Sequence, residues 1–172
     1  MRRITLGLLT LSLLASPAAA RAGFLFEGSV GSGVRAGIGS AERIPTNVMA
    51  TVGYGFAGML KLELGALANL GDAKASFSTG GNKVDWDLRP MIVLSPPLLP
   101  FYIRGIAGVT SLKVKPAKFT YGGALGVGFG LFGVGAFAEA GAMQHRYEIA
   151  VPGGTVGKDA WQLEGRLGFS IG

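Results

Sequence analysis

The sequence predicts an all-β fold, an eight-stranded antiparallel up-and-down transmembrane β-barrel. Three observations carry this reading. About eight segments alternate apolar and polar residues at period two, and their charges fall mid-strand on one face only. Hydrophobic residues make up 49% of the 172-residue chain and the mean hydropathy is positive. That is the composition of a barrel with lipid outside and a polar, charge-paired interior, not of a soluble sandwich. Long and short connections also alternate strictly, as expected where long loops face outward and short turns face the periplasm.

The elements follow in order. Arg2 and Arg3 form a positive start, Ile4 to Leu14 an apolar core, and Pro17 with Ala18, Ala19 and Ala20 a small-residue cleavage site. Residues 1–22 therefore read as a cleavable leader and 23–172 as the barrel, with the mature chain starting at Arg21 or Gly23. The apolar run is too short for a spanning helix. Thr5 stands where a twin-arginine signal has a bulky apolar residue, so Sec-type export to the outer membrane is expected.

Strands are expected over 23–34, 47–57, 59–70, 83–94, 101–110, 121–130, 134–145 and 160–172. In the third, Leu60, Leu62 and Leu64 alternate with Lys61, Glu63 and Gly65. In the fourth, Val84, Trp86, Leu88 and Ile92 alternate with Asp85, Asp87, Arg89 and Met91. In the eighth, Leu163, Leu167, Phe169 and Ile171 alternate with Glu164, Arg166 and Ser170. The segment from Tyr121 to Met143 also contains Gly122-xxx-Gly126 and Gly126-xxx-Gly130, a helix-packing motif. Its period-two alternation, Glu139 within the span and the turn at Gly130 to Gly133 favour two strands. Short turns fall at Ala57-Gly58, Ser95 to Pro100 and Gly130 to Gly133. Long loops cover 35–46, 71–82, 111–120 and 146–159. Glycine, 30 of 172 residues, weighs against helices, where each interior glycine costs about 1 kcal/mol relative to alanine.

Aromatic positions, not used to draw the strands, give an independent check. Trp86, Tyr121 and Trp161 open the three downward strands at the outer rim. Phe24, Phe56, Phe101, Phe129 and Phe169 lie at the periplasmic rim. Two girdles at opposite strand ends are what interfacial ring chemistry predicts.

The inward charges are Glu27, Lys61, Glu63, Asp85, Asp87, Arg89, Arg104, Glu139, Glu164 and Arg166. An eight-stranded barrel is just wide enough for side chains to fill, so these groups must pair. Strand adjacency pairs Glu63 with Arg89, and Glu27 or Glu139 with Arg166. Arg104 faces a glycine-lined strand (Gly126, Gly128) and has room to reach across to a carboxylate. A salt-bridged plug is the expected state. Small inward residues such as Gly53 and Gly55 leave a narrow porin-like conduit as the alternative.

Catalytic and cofactor chemistry find little support. The absence of cysteine removes thiolate metal sites, disulfides and lipoprotein acylation. Asp85 and Asp87 share a face at i, i+2, but Arg89 on that face explains them without substrate. His145, the only histidine, reads as a solvated residue at the outer rim. Outer-membrane lipid A deacylases carry His-x-Ser facing the bilayer; here Tyr147 stands two residues after a histidine of inward parity, so a lipid A-modifying enzyme is a second alternative only. Gly128-Phe-Gly130-Leu-Phe-Gly133 matches a dinucleotide fingerprint but lacks the helix that must follow. Removing Arg2, Arg3 and Arg21 leaves 13 basic against 10 acidic side chains, a net charge of +3. No basic stripe marks nucleic-acid binding. Lys113, Lys115 and Lys118 cluster in one loop, solvated or in contact with lipopolysaccharide phosphates.

The leader, eight alternating strands, girdles and charged interior resemble the small eight-stranded outer-membrane proteins of Gram-negative bacteria, the OmpA transmembrane-domain and OmpX-like group. The resemblance implies insertion by the barrel-assembly machinery, which reads an amphipathic last strand usually ending in an aromatic; here the chain ends in Gly172. The expected role is non-catalytic, either structural or adhesin-like surface contact through the loops. Expected partners are outer-membrane lipid and lipopolysaccharide, the assembly machinery and a ligand at the surface loops, with the barrel a monomer. No cofactor, metal or catalytic residue is expected.

Overall fold

In the computed structural model, residues 22–36, 42–56, 59–70, 84–96, 99–112 and 115–172 are described. Eight strands, β1 (Gly23–Ala36), β2 (Glu42–Phe56), β3 (Leu60–Leu70), β4 (Val84–Leu94), β5 (Phe101–Leu112), β6 (Lys115–Leu131), β7 (Val134–Val151) and β8 (Gly154–Ile171), close into one antiparallel barrel in sequence order. Closure is made by β1 and β8, paired from Phe26 with Ile171 to Ala36 with Trp161. Closing the sheet leaves no edge within the barrel wall. The leader, the turn at Ala57-Gly58 and the loop 71–82 lie outside the described residues.

Period two sorts the side chains into two faces. Outward stand the apolar rows of every strand, among them Leu62 and Leu64, Leu88 and Ile92, Leu125 and Val127, and Leu163 and Leu167, each at least 44% exposed. All eight girdle aromatics lie on this face: Trp86, Tyr121 and Trp161 toward one end, Phe24, Phe56, Phe101, Phe129 and Phe169 toward the other. Register puts Tyr121 opposite Gln144, and Gln144 opposite Trp161. Inward lie the charged rows and two apolar clusters: Met49, Leu67, Met91, Ile106, Ala124 and Met143 in one, Val93, Tyr102 and Phe137 in the other.

The strand count and order follow the alternation, but three connections are far shorter than their composition implies. The region 35–46 is strand up to Ala36 and again from Glu42; 111–120 is strand except at 113–114; 146–159 is a hairpin closed by Pro152-Gly153. Lys115 and Lys118 thus stand on β6, not in a loop. Polar residues pair as well as apolar ones in a solvated antiparallel ribbon, because the ladder is made by backbone groups. Proline at the first central position and Gly153 at φ 94° at the second make the tight turn. At the other end, Phe132 and Gly133 both take positive φ, 54° and 84°, and close the β6–β7 hairpin.

β7 and β8 each hold 18 residues, against the roughly 9–11 that cross a bilayer. Their mutual pairing runs to Val151 and Gly154. β7 last pairs with β6 at His145, and β8 last pairs with β1 at Trp161. From Arg146 to Ala160 the hairpin is therefore a two-stranded ribbon with both edges open among the described residues. At about 3.3 Å per residue and a tilt near 45°, it rises about 15 Å above the Tyr121–Trp161 level.

Candidate functional site: the ionic interior

Three arginines, from β4, β5 and β8, are buried in the interior, each at most 3% exposed. They sit at inward positions flanked by outward apolar residues, so the pleat forces them into the lumen. Near the ribbon end, Arg89 Nη2 meets Asp87 Oδ2 at 2.9 Å and Arg89 Nη1 meets Glu164 Oε1 at 2.6 Å. Gln162 Nε2 donates to Glu164 Oε2 at 2.9 Å. Arg166 Nη2 stands 3.3 Å from Glu164 Oε1 and also bonds Glu139. Glu139 continues to Arg104 Nη1 at 3.0 Å and accepts from the Tyr102 hydroxyl at 2.8 Å. Arg104 Nη2 ends the chain on Glu27 at 2.7 Å and Glu63 at 3.1 Å. Glu63 meets Arg104 at ion-pair distance but without hydrogen-bond alignment.

The result is one connected ladder of three guanidiniums and five carboxylates crossing the lumen. Charge-assisted contacts of this length are the strong ones, the more so in a space shielded from water. Aromatic rings complete the packing. The Arg104 guanidinium lies 5.4 Å from the Tyr102 ring centre and 5.8 Å from that of Phe137, within cation–π range.

The sequence-identified residues distribute as follows. Glu27, Glu63, Asp87, Arg89, Arg104, Glu139, Glu164 and Arg166 are all buried in the ladder. Lys61 is half-buried, with no carboxylate in ion-pair contact among the described residues. Asp85 is on β4 opposite Asn69, and its side chain lies outside the described residues. One expected pair is replaced: Glu63 goes to Arg104 and not Arg89, because the guanidinium reaches across the narrow lumen rather than to the adjacent strand. Of the two carboxylates expected for Arg166, Glu27 goes instead to Arg104. Glu139 with Arg166 is as expected. The glycine space facing Arg104 is taken by Tyr102, whose ring fills the position a side chain on Gly126 would need.

His145 is not a solvated rim residue. It is 1% exposed, inside the barrel, with Nδ1 3.1 Å from Thr120 Oγ1. Its inward parity on β7 places it among the lumen side chains. Sequence reasoning also passed over Tyr102, Gln162 and the buried cross-strand pair Asn47 and Asn69; inward parity was the one signal that could have found them. Among the described residues no group of three or more His, Cys, Asp or Glu is placed to hold a metal ion. Asp87 is paired with Arg89 at 2.9 Å.

Below the ladder, at the end where Gly23 and Gly172 lie, is a cavity of about 230 Å³. Leu25, Glu27, Lys61, Val93, Tyr102 and Phe137 contribute to its wall.

No protein-family model matches the chain, and no curated protein matches it. Among solved structures it is similar to Neisserial surface protein A, with a TM-score of 0.61 at 10% identity, covering 88% of this chain and 98% of that one. The outer membrane protein AlkL, solved in lipid bilayers, is also similar, with a TM-score of 0.44 at 13% identity and 87% of each chain covered. The shared architecture, the closed barrel and the apolar outer wall agree: this chain has the fold of the small eight-stranded outer-membrane β-barrels.

Proposed function

We propose that the protein is an integral outer-membrane barrel with a non-catalytic role, its lumen closed by the arginine ladder and its activity residing in surface contact. The observation that carries this is the division of labour in the chain. The interior is crossed by arginines and carboxylates in ion-pair contact, while β7 and β8 extend as a ribbon whose edges are open among the described residues. Unpaired strand edges are templates for further pairing, which gives the ribbon the chemistry of a contact element. In this reading residues 1–22 are removed on Sec-type export, the assembly machinery inserts the barrel, and its termini face the periplasm. Lipid contacts the apolar wall and lipopolysaccharide the outer rim.

A narrow porin-like conduit is the second reading, supported by the cavity beneath the ladder. Planar-bilayer recording separates the two, with heat-shifted gel mobility as the folding control. The closed barrel is silent. Steady discrete conductance from verifiably folded protein overturns it in favour of transport. For contact, deleting residues 146–159 and joining the strands by a two-residue turn is expected to abolish surface binding while leaving the heat shift intact.

A further inference from the structure

We propose that the barrel binds a small amphiphilic monoanion in the cavity at its termini end, with the anionic group against Lys61 and the apolar body against Leu25, Val93 and Phe137. The cavity is closed above, because Tyr102 fills the slot at Gly126 and anchors its hydroxyl on Glu139. The cavity thus has the Tyr102 ring as its wall on the ladder side. Its polar groups are unevenly engaged. Glu27 is held by Arg104 at 2.7 Å, and Arg104 by three carboxylates. Lys61, directed inward between Gly55 and Val93 in the register, is the wall's cation without an ion-pair contact among the described residues. A carboxylate entering the chamber gives Lys61 the contact partner that the ladder withholds. The remaining wall is largely aliphatic and aromatic, which favours a hydrocarbon body over a hydroxylated one. A dry cavity near 150 Å³ accepts a benzene-sized molecule, so 230 Å³ fits a ligand of roughly six to ten non-hydrogen atoms.

The test uses full-length mature barrel in nanodiscs, read by methyl NMR of Leu25 and Val93 inside and Leu167 on the lipid face. Hexanoate, hexanol and hexylammonium are titrated separately. Hexanoate is expected to shift the Leu25 and Val93 methyls saturably with a Kd on the order of 1 mM, about tenfold tighter than hexanol, while Leu167 reports only partitioning. Lys61→Met breaks no ion pair among the described residues, so the barrel keeps its heat shift, and hexanoate then binds no better than hexanol. A Cβ on Gly128 would meet only ordinary contacts, 3.6 Å from Phe137 Cβ. Gly128→Leu therefore grows into the chamber and is expected to remove the saturable shifts for every probe. Hexylammonium binding as tightly as hexanoate would overturn the proposal, since the chamber would then be reading the carboxylate excess of the ladder. So would hexanoate affinity unchanged in Lys61→Met, or the absence of saturable shifts in the parent barrel.

Discussion

Replacing Arg104 by methionine removes the one cation that touches Glu27, Glu63 and Glu139 together. Methionine keeps most of the stem volume, so the loss is of charge more than of packing. Glu139 retains Arg166 and the Tyr102 hydroxyl. Glu27 and Glu63 keep no described ion-pair contact, at side-chain exposures of 4% and 0%. Breaking a buried pair by removing one partner costs about 3–5 kcal/mol, because an uncompensated charge stays behind. Arg104→Met should therefore destabilise the barrel by about that amount. With a urea dependence of about 2 kcal/mol per M, the unfolding midpoint falls by about 1.5–2.5 M. Unfolding in lipid vesicles can be followed by gel mobility and by the fluorescence of Trp86 and Trp161 on the lipid face. The control is the triple variant Arg104→Met, Glu27→Gln, Glu63→Gln, which neutralises the stranded carboxylates and should recover more than half of the loss. A midpoint change below about 0.5 M for Arg104→Met, corresponding to about 1 kcal/mol, would refute the reasoning. It would mean that the ladder charges are solvated, as in a wet conduit.

Gly126→Ala places a methyl group on the Tyr102 ring and should cost about 1–3 kcal/mol by overpacking, while Gly165→Ala, where a Cβ meets only a carbonyl at 3.9 Å, should leave the urea midpoint unchanged. Leu167→Arg puts a charge on the outward wall, where the leucine is 64% exposed, and should destabilise the barrel in a bilayer by about 2–4 kcal/mol. A smaller effect in vesicles would argue that this wall does not face hydrocarbon. His145→Ala should leave lipid A acylation unchanged by mass spectrometry of whole cells and lower stability by about 0.5–1.5 kcal/mol through loss of its hydrogen bond with Thr120. Any loss of an acyl modification would reverse the non-catalytic reading.

The parts of this structure legible in the sequence are those fixed by local periodicity. Alternation in Leu60–Gly65 or Leu163–Ile171 states which side chain faces which way, and the apolar set then identifies the lipid face. Hairpin length is another matter. In Arg146–Ala160, Tyr147, Ile149 and Val151 do alternate with Arg146, Glu148 and Ala150, but Pro152, three glycines and the polar residues give the segment the composition of a loop while its backbone pairs as a ribbon. Charge partners were legible only as a set. An arginine has a reach comparable to the lumen radius, and which carboxylate it meets depends on what else fills the space. Tyr102 occupies the Gly126 slot, and that occupant directs Arg104 toward Glu27 and Glu63. His145 was misjudged for the same reason as the hairpin: the strand end assigned to the rim continues for six more residues.

The ladder also answers a question that alternation leaves open. A slip of one residue between neighbouring strands turns charges toward lipid, at about 2–4 kcal/mol for a basic side chain near the bilayer centre, so hydrophobic patterning rejects odd slips. A slip of two residues preserves every facing, and the backbone ladder is indifferent to it. Contacts across the lumen are not. Moving β5 by two residues carries the Arg104 guanidinium about 7 Å along its strand, far outside contacts that now measure 2.7–3.1 Å to Glu27, Glu63 and Glu139. The same holds for Arg89 against Glu164, which ties β4 to β8 across the lumen, and for Arg166 against Glu139 between β8 and β7. Six of the eight strands (β1, β3, β4, β5, β7 and β8) are linked by this network. The charged interior thus selects the register of a barrel whose outer face specifies only its parity.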